Sequence, residues 1–231
     1  MTQPRSTLVS LEDTPWYHVV SRCVRRAFLC GTDAVTGASF EHRRGWIAER
    51  LQQLASVFAV DIAAYAVMAN HYHIVLRIDA ERAQAWDRET VLERWCQLFT
   101  GPEVVQRFRV DPNALCPAEM ALLETWVDTY RARLQDLSWF MRVLNDSIAR
   151  RANAEDGMTG RFRGGRFRSQ ARLERRNIDP EQFIVTTRTL MRQFGSAIGT
   201  PEHLTERCVA RQTKFLRGIR SAQELFERRA A

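Results

Sequence analysis

The sequence predicts an α+β fold in which an antiparallel sheet is joined by a block of helices. Three observations predict it. Over roughly the first third of the chain, β-rich segments and one amphipathic helix follow in the order strand, helix, strand, strand. Two of those strands are parted by only two residues, the length of a tight antiparallel hairpin. From residue 88 to about residue 153 apolar residues recur at helical spacing, and a further strand follows them.

Each element has its own reason. Trp16–Cys23 (WYHVVSRC) is rich in β-branched and aromatic residues and reads as the first strand. Ile47, Leu51, Leu54 and Phe58 fall on one face of a helix over residues 41–58. Asp61–Met68 (DIAAYAVM) and His71–Ile78 (HYHIVLRI) are apolar runs on either side of Ala69-Asn70, although alanine forms tight turns less readily than glycine. Residues 88–99 suit a helix, and Pro102, Pro112 and Pro117 mark a loop after it. Met120, Leu123, Val127, Tyr130 and Leu134 then line a second helix, and Leu137, Met141, Leu144 and Ile148 a third that runs toward Asn153. Residues 157–173 (GMTGRFRGGRFRSQARL) alternate glycine and arginine around Phe162 and Phe167. They read as a basic loop entering a fourth strand at about Arg166–Leu173. Helices are expected over residues 181–194 and 213–227, while GSAIGTPEHLTERC between them shows no pattern.

Bulk properties narrow the function. The chain has 231 residues, of which 45% are hydrophobic and 26% charged, the balance of a globular protein rather than a disordered or membrane-spanning one. No apolar run reaches the ~20 residues of a membrane span, and the first residues lack the layout of a secretion signal. Cys23, Cys30, Cys96, Cys116 and Cys208 are odd in number and never spaced as CxxC. A disulfide framework or zinc knuckle is therefore not expected, and a cytoplasmic location is. The net charge of +7 is unevenly placed: residues 1–140 hold 15 basic and 17 acidic side chains, residues 141–231 hold 19 and 10. That asymmetry is expected of a protein with one face for a polyanion. Lys214 is the only lysine, and arginine suits phosphate because its fork donates two parallel hydrogen bonds. A genome rich in G and C would also favour arginine codons.

His71-Tyr72-His73 opens a strand, and period-two alternation sends both imidazoles to one face with Cβ atoms roughly 7 Å apart. Two neutral imidazoles so placed can share one divalent cation, and two solvated histidines on a strand would look the same. The neighbouring residues add information. Val67-Met68-Ala69-Asn70-His71-Tyr72-His73-Ile74-Val75-Leu76 closely resembles the metal-binding strand of the HUH single-tyrosine transposases, the insertion-sequence-200-like and REP-associated tyrosine transposases. Their usual wording is M-P-N-H-x-H, with Ala69 here in place of the proline. Tyr17-His18-Val19-Val20-Ser21-Arg22 is similar to the family's first strand. Gly160-Arg161-Phe162-Arg163-Gly164-Gly165-Arg166-Phe167-Arg168-Ser169-Gln170 is similar to the segment leading into its last strand. The match in order and spacing runs from about residue 15 to residue 173.

The resemblance implies a ferredoxin-like antiparallel core over residues 1–173, with a helical insertion at about residues 80–155. It implies a DNA transposase or endonuclease in which His71 and His73 hold Mg²⁺ or Mn²⁺, with His18 as a third ligand or a supporting residue. The metal would polarise a phosphate of single-stranded or hairpin DNA, and a tyrosine would cut and rejoin the strand in DNA transposition. Arg161, Arg163, Arg166 and Arg168 would hold the DNA backbone, and Phe162 and Phe167 would stack bases, core packing being the equal alternative for the two rings. The implied location is the cytoplasm, at the nucleoid, and a homodimer is one of two oligomeric states open.

One part of the family pattern is missing. The nucleophilic tyrosine belongs on a helix after the last strand, shortly before Asn-Pro, yet residues 174–196 contain no tyrosine. Tyr17, Tyr65 and Tyr72 lie in predicted strands, and Tyr130, the remaining candidate, lies on an apolar helix stripe. Two readings of the tail, residues 174–231, stay open: a frameshifted remnant, or the ending of a non-catalytic DNA-binding regulator derived from a transposase. A histidine-triad hydrolase needs a third alternating histidine where Val75 stands, and a cupin-like site needs a glutamate after the HxH that is absent.

Overall fold

The computed structural model describes residues 9, 11–23, 29–33, 35–160, 162, 167–172, 197–198 and 201–210. The chain is α+β. Strand β1 (Trp16–Arg22) leads to helix α1 (Arg43–Val57) and to the hairpin β2 (Val60–Val67) and β3 (His71–Ile78). Helices α2 (Ala80–Ala85), α3 (Arg88–Cys96) and α4 (Glu103–Val110) follow, then a 3₁₀ turn at Pro112–Ala114 and the long helices α5 (Pro117–Leu134) and α6 (Leu137–Glu155). After β4 (Arg168–Arg172) come β5 (Ala197–Ile198) and α7 (Pro201–Ala210). The sheet order is β2-β3-β1-β4-β5, with β1 antiparallel to both β3 and β4, and β5 parallel to β4. Order and direction over the first four strands are those of a ferredoxin-like core.

Two compact units divide the chain. The first comprises Met1–Ile47, Ile62–Arg77 and Ala149–Ala231, the second Ala48–Asp61 and Ile78–Ile148. The expected helical insertion thus falls mainly in the second unit, which also takes most of α1. In the first unit, Tyr17, Val19, Tyr72, Ile74, Leu76 and Ala171 are buried on one face of the sheet. In the second, Trp95 stacks on Tyr130 with centroids 4.4 Å apart and planes at 11°, and Phe58 meets Phe140 edge to face.

Two helices escape the periodicity argument because they are short. In α2 the Asp79 carboxylate caps the Arg82 N–H, and α4 begins directly after Pro102. Pro117 also proves to start a helix rather than sit in a loop, because a first-turn residue has no intrahelical N–H bond to lose. The Glu119 side chain accepts from the Cys116 N–H at 2.9 Å and completes that start. The stretch that showed no pattern holds β5 and α7, the helix opening on Pro201 and Glu202. The helices expected over residues 181–194 and 213–227 lie outside the described residues.

The β2–β3 turn matters most for the site. It closes through Met68 N–H to the His71 carbonyl at 2.8 Å. Lacking glycine, it is held from outside. The Ala69 carbonyl accepts from Leu29 N–H (2.6 Å) and Cys30 N–H (3.3 Å), and the Asn70 carbonyl from Cys23 N–H (2.9 Å). The Cys30 thiol donates to the Met68 carbonyl at 3.2 Å, and Arg44 of α1 donates to the Val67 carbonyl.

Candidate metal centre

The register carries the His71 and His73 face across three strands. β1 and β3 pair Arg22 with His71, Val20 with His73 and His18 with Val75. β1 and β4 pair Val20 with Arg168 and His18 with Gln170. Residues paired across strands share a face. One side of the sheet therefore carries Arg22, His71, His73, His18, Arg168 and Gln170, and the other carries Tyr17, Val19, Ser21, Tyr72 and Ile74. The first side is graded. His18 and Gln170 are fully buried, His71 and His73 are partly exposed, and Arg22 and Arg168 reach solvent.

The three imidazoles touch. His71 and His73 have ring centroids 5.0 Å apart at 67°, close enough for one cation to meet both. His18 and His73 are nearly parallel, at 6°, and Nε2 of His18 lies 3.0 Å from Nδ1 of His73. Nδ1 of His71 lies 2.6 Å from Oδ1 of Asn70. Burial, then the charges of His71 and Arg22, push His73 down to a pKa of about 4. Its ring is therefore neutral near pH 7, the form in which histidine binds metal.

Two imidazole nitrogens could supply part of the shell of a divalent cation, with water and phosphate oxygens completing it. Among the described residues no group of three His, Cys, Asp or Glu side chains is disposed to hold a metal. Nε2 of His18 is directed at His73. Of the two roles open to His18, its position suits support of His73 rather than ligation.

The remaining expected residues separate. Arg168 lies on the histidine face at the exposed end of β4. Phe167 is partly exposed, whereas Phe162 is only 2% exposed, which favours the core-packing reading for that ring. Arg161, Arg163 and Arg166 lie outside the described residues. Tyr130 is buried in the helical unit, Tyr17 and Tyr72 are buried on the opposite sheet face, and Tyr65 is exposed on β2. Arg22 and Gln170 were not singled out from sequence, although each ends a quoted motif. Only the strand pairing brings them beside His71 and His18.

In comparisons with known proteins, no family model matches the chain and no curated protein matches it. The likeness to the HUH transposases therefore rests on the three short motifs alone. Among the described residues no helix is long and apolar enough to cross a membrane.

Proposed function

We propose that this chain is a transposase-related protein that binds single-stranded or hairpin DNA on the histidine face of its sheet, with a divalent cation held by His71 and His73. The observation that carries this reading is the joint placement of His71, His73, Arg22 and Arg168 on one partly open face. A bound cation would withdraw charge from a phosphate oxygen. Arg22 and Arg168 supply two guanidiniums that can grip the adjoining backbone, and a neutral His73 leaves a lone pair to donate. The excess of basic residues after residue 140 supports a polyanionic partner.

The proposal is for binding rather than cutting. Strand transfer through tyrosine needs an accessible phenol beside the metal. Three of the four tyrosines are buried, and Tyr65 is not on the histidine strand. The function that follows is a regulator that recognises the DNA its relatives would process. The test is fluorescence anisotropy with a hairpin, a single strand and a random duplex of equal length at moderate salt, with Mn²⁺ and with chelator. Tighter binding of the hairpin or single strand supports the proposal, and equal or tighter binding of the duplex refutes it. A chelator effect on affinity would place the cation in the DNA contact.

A further inference from the structure

We propose that Asn70 and His18 are positioning residues that lock His71 and His73 as Nδ1–H tautomers, so that both histidines present Nε2 to the cation. This rests on the reading of His71 and His73 as the ligands.

A neutral imidazole carries one N–H, and the nitrogen that carries it cannot bind metal. Oδ1 of Asn70 only accepts hydrogen bonds, so at 2.6 Å it draws the His71 proton onto Nδ1. Asn70 is not held by solvent accident. Its own carbonyl and those of the three residues before it are tied to Cys23, Leu29, Cys30 and Arg44, which fixes the turn that carries it.

His73 is engaged through Nδ1 as well, by Nε2 of His18 at 3.0 Å. If His73 donates, its Nε2 keeps a lone pair; if His18 donates, the His73 proton sits on Nε2 and ligation is blocked. With His73 as the donor, Nε2 of His18 accepts and the His18 proton sits on its own buried Nδ1. His18 is fully buried in β1, diagonal to His73 across the register, so its ring has little freedom to turn away. On this assignment His71 and His73 take the same tautomer from different partners, one amide and one imidazole. Partners of this kind typically change metal affinity 10- to 100-fold.

The experiment uses the full chain, metal-free, with ¹⁵N-labelled histidine. Long-range ¹H–¹⁵N spectra near pH 7 should show His71 and His73 protonated at Nδ1 and bare at Nε2; either ring protonated at Nε2 overturns the proposal. Mn²⁺ titration then separates position from simple stability. Asn70→Ala should move the His71 proton toward Nε2 and weaken Mn²⁺ binding about 10- to 100-fold, while Asn70→Asp, which still accepts, should keep both. Unchanged affinity in Asn70→Ala overturns the role. His18→Gln, whose carbonyl can accept from His73, should preserve the His73 tautomer. Should that buried variant fail to fold, the wild-type spectrum and the exposed Asn70 series still decide. Expected tautomers without Mn²⁺ uptake would sink the metal reading and leave the tautomer assignment standing. Nε2-protonated rings in a chain that takes up Mn²⁺ would do the reverse.

Discussion

Nε of Arg43 donates to Oε2 of Glu155 at 2.6 Å, joining the first residue of α1 to the last residue of α6. The same guanidinium reaches Asp156 and lies over the Phe40 ring at 4.4 Å. Arg43 is 1% exposed, whereas the Glu155 and Asp156 side chains are 34% and 19% exposed. The cost of breaking the cluster should therefore depend on which side is removed. Glu155→Gln with Asp156→Asn removes both carboxylate charges from a buried cation and should cost about 3 kcal/mol or more. Arg43→Met fills a similar volume and leaves two carboxylates that water can reach, so it should cost less. Urea unfolding at pH 7 reads both, and an Arg43→Met loss equal to the double variant's contradicts the argument.

The same pair sets an acid limit. Burial pushes the Glu155 carboxyl up, but the hydrogen bonds from Arg43 and His42 outweigh it and hold the group below the usual range. A carboxyl lowered on folding contributes stability above its unfolded value of about 4.3, and that stability is lost as pH falls through it toward the folded value. Asp33, Asp87 and Glu119 are also held low, chiefly by hydrogen bonds from Val35, Thr90 and Cys116. The difference between wild type and Glu155→Gln isolates the one group. That difference should shrink as pH falls through about 4.3 and below, and a constant gap would show that Glu155 does not titrate with unfolding.

Much of this fold was legible because its signals are local. β3 starts and ends where its apolar run does, and β1, β2 and α1 fall within about two residues of expectation, since alternation and the Ile47-Leu51-Leu54 stripe reflect which face is buried. α2 and α4 were missed because six and eight residues are too few to establish a period. The site was half legible. His71 and His73 share a strand, so their common face follows from sequence spacing. That Arg22, Arg168, His18 and Gln170 join them depends on pairing between strands far apart in the chain, which no local pattern encodes. Phe162 is open in the sequence, base stacking and core packing being equal readings, and its burial is set by tertiary packing that no local pattern encodes.

Arg22 and Arg168 offer a quantitative check on the DNA face. Each phosphate contact releases counterions, so each arginine that grips a phosphate adds roughly 0.7 to the slope of log affinity against log salt for a single strand. Arg22→Ala and Arg168→Ala should each lower that slope by about this amount and weaken binding at low salt. Arg142, exposed on α6 and already paired with Asp146, serves as the control, and Arg142→Ala should leave the slope unchanged. An equal effect from all three would mean diffuse attraction rather than a defined face.

Tyr130 decides whether hidden tyrosine chemistry needs considering. Its ring is 2% exposed and stacked on Trp95, and burial pushes its phenol above the ordinary range, away from the phenolate a nucleophile needs. Tyr130→Phe should leave DNA binding and any strand nicking unchanged. Tyr130→Ala should destabilise the fold by about 3–5 kcal/mol through the cavity it leaves. Nicking activity abolished by the phenylalanine variant in a stably folded chain would overturn this assignment.

Phe162 and Phe167 bracket the basic segment and should respond oppositely. Phe162 is buried, and two residues before it Asn153 of α6 donates to the Gly160 carbonyl at 2.9 Å. Phe167 is partly exposed and immediately precedes β4, whose first residue, Arg168, lies on the histidine face. A ring that packs contributes to folding, and a ring that reaches solvent is available to stack on a base. Phe162→Ala should lower stability by about 3–5 kcal/mol and, where folded, bind hairpin DNA as wild type does. Phe167→Ala should change stability by less than about 1.5 kcal/mol and weaken single-strand binding by about 1–3 kcal/mol, with Phe167→Trp retaining it. Unfolding curves and anisotropy on both variants give the answer: a stability loss at Phe167 with unaltered DNA binding would assign it to the core alongside Phe162, leaving arginine alone to hold the strand.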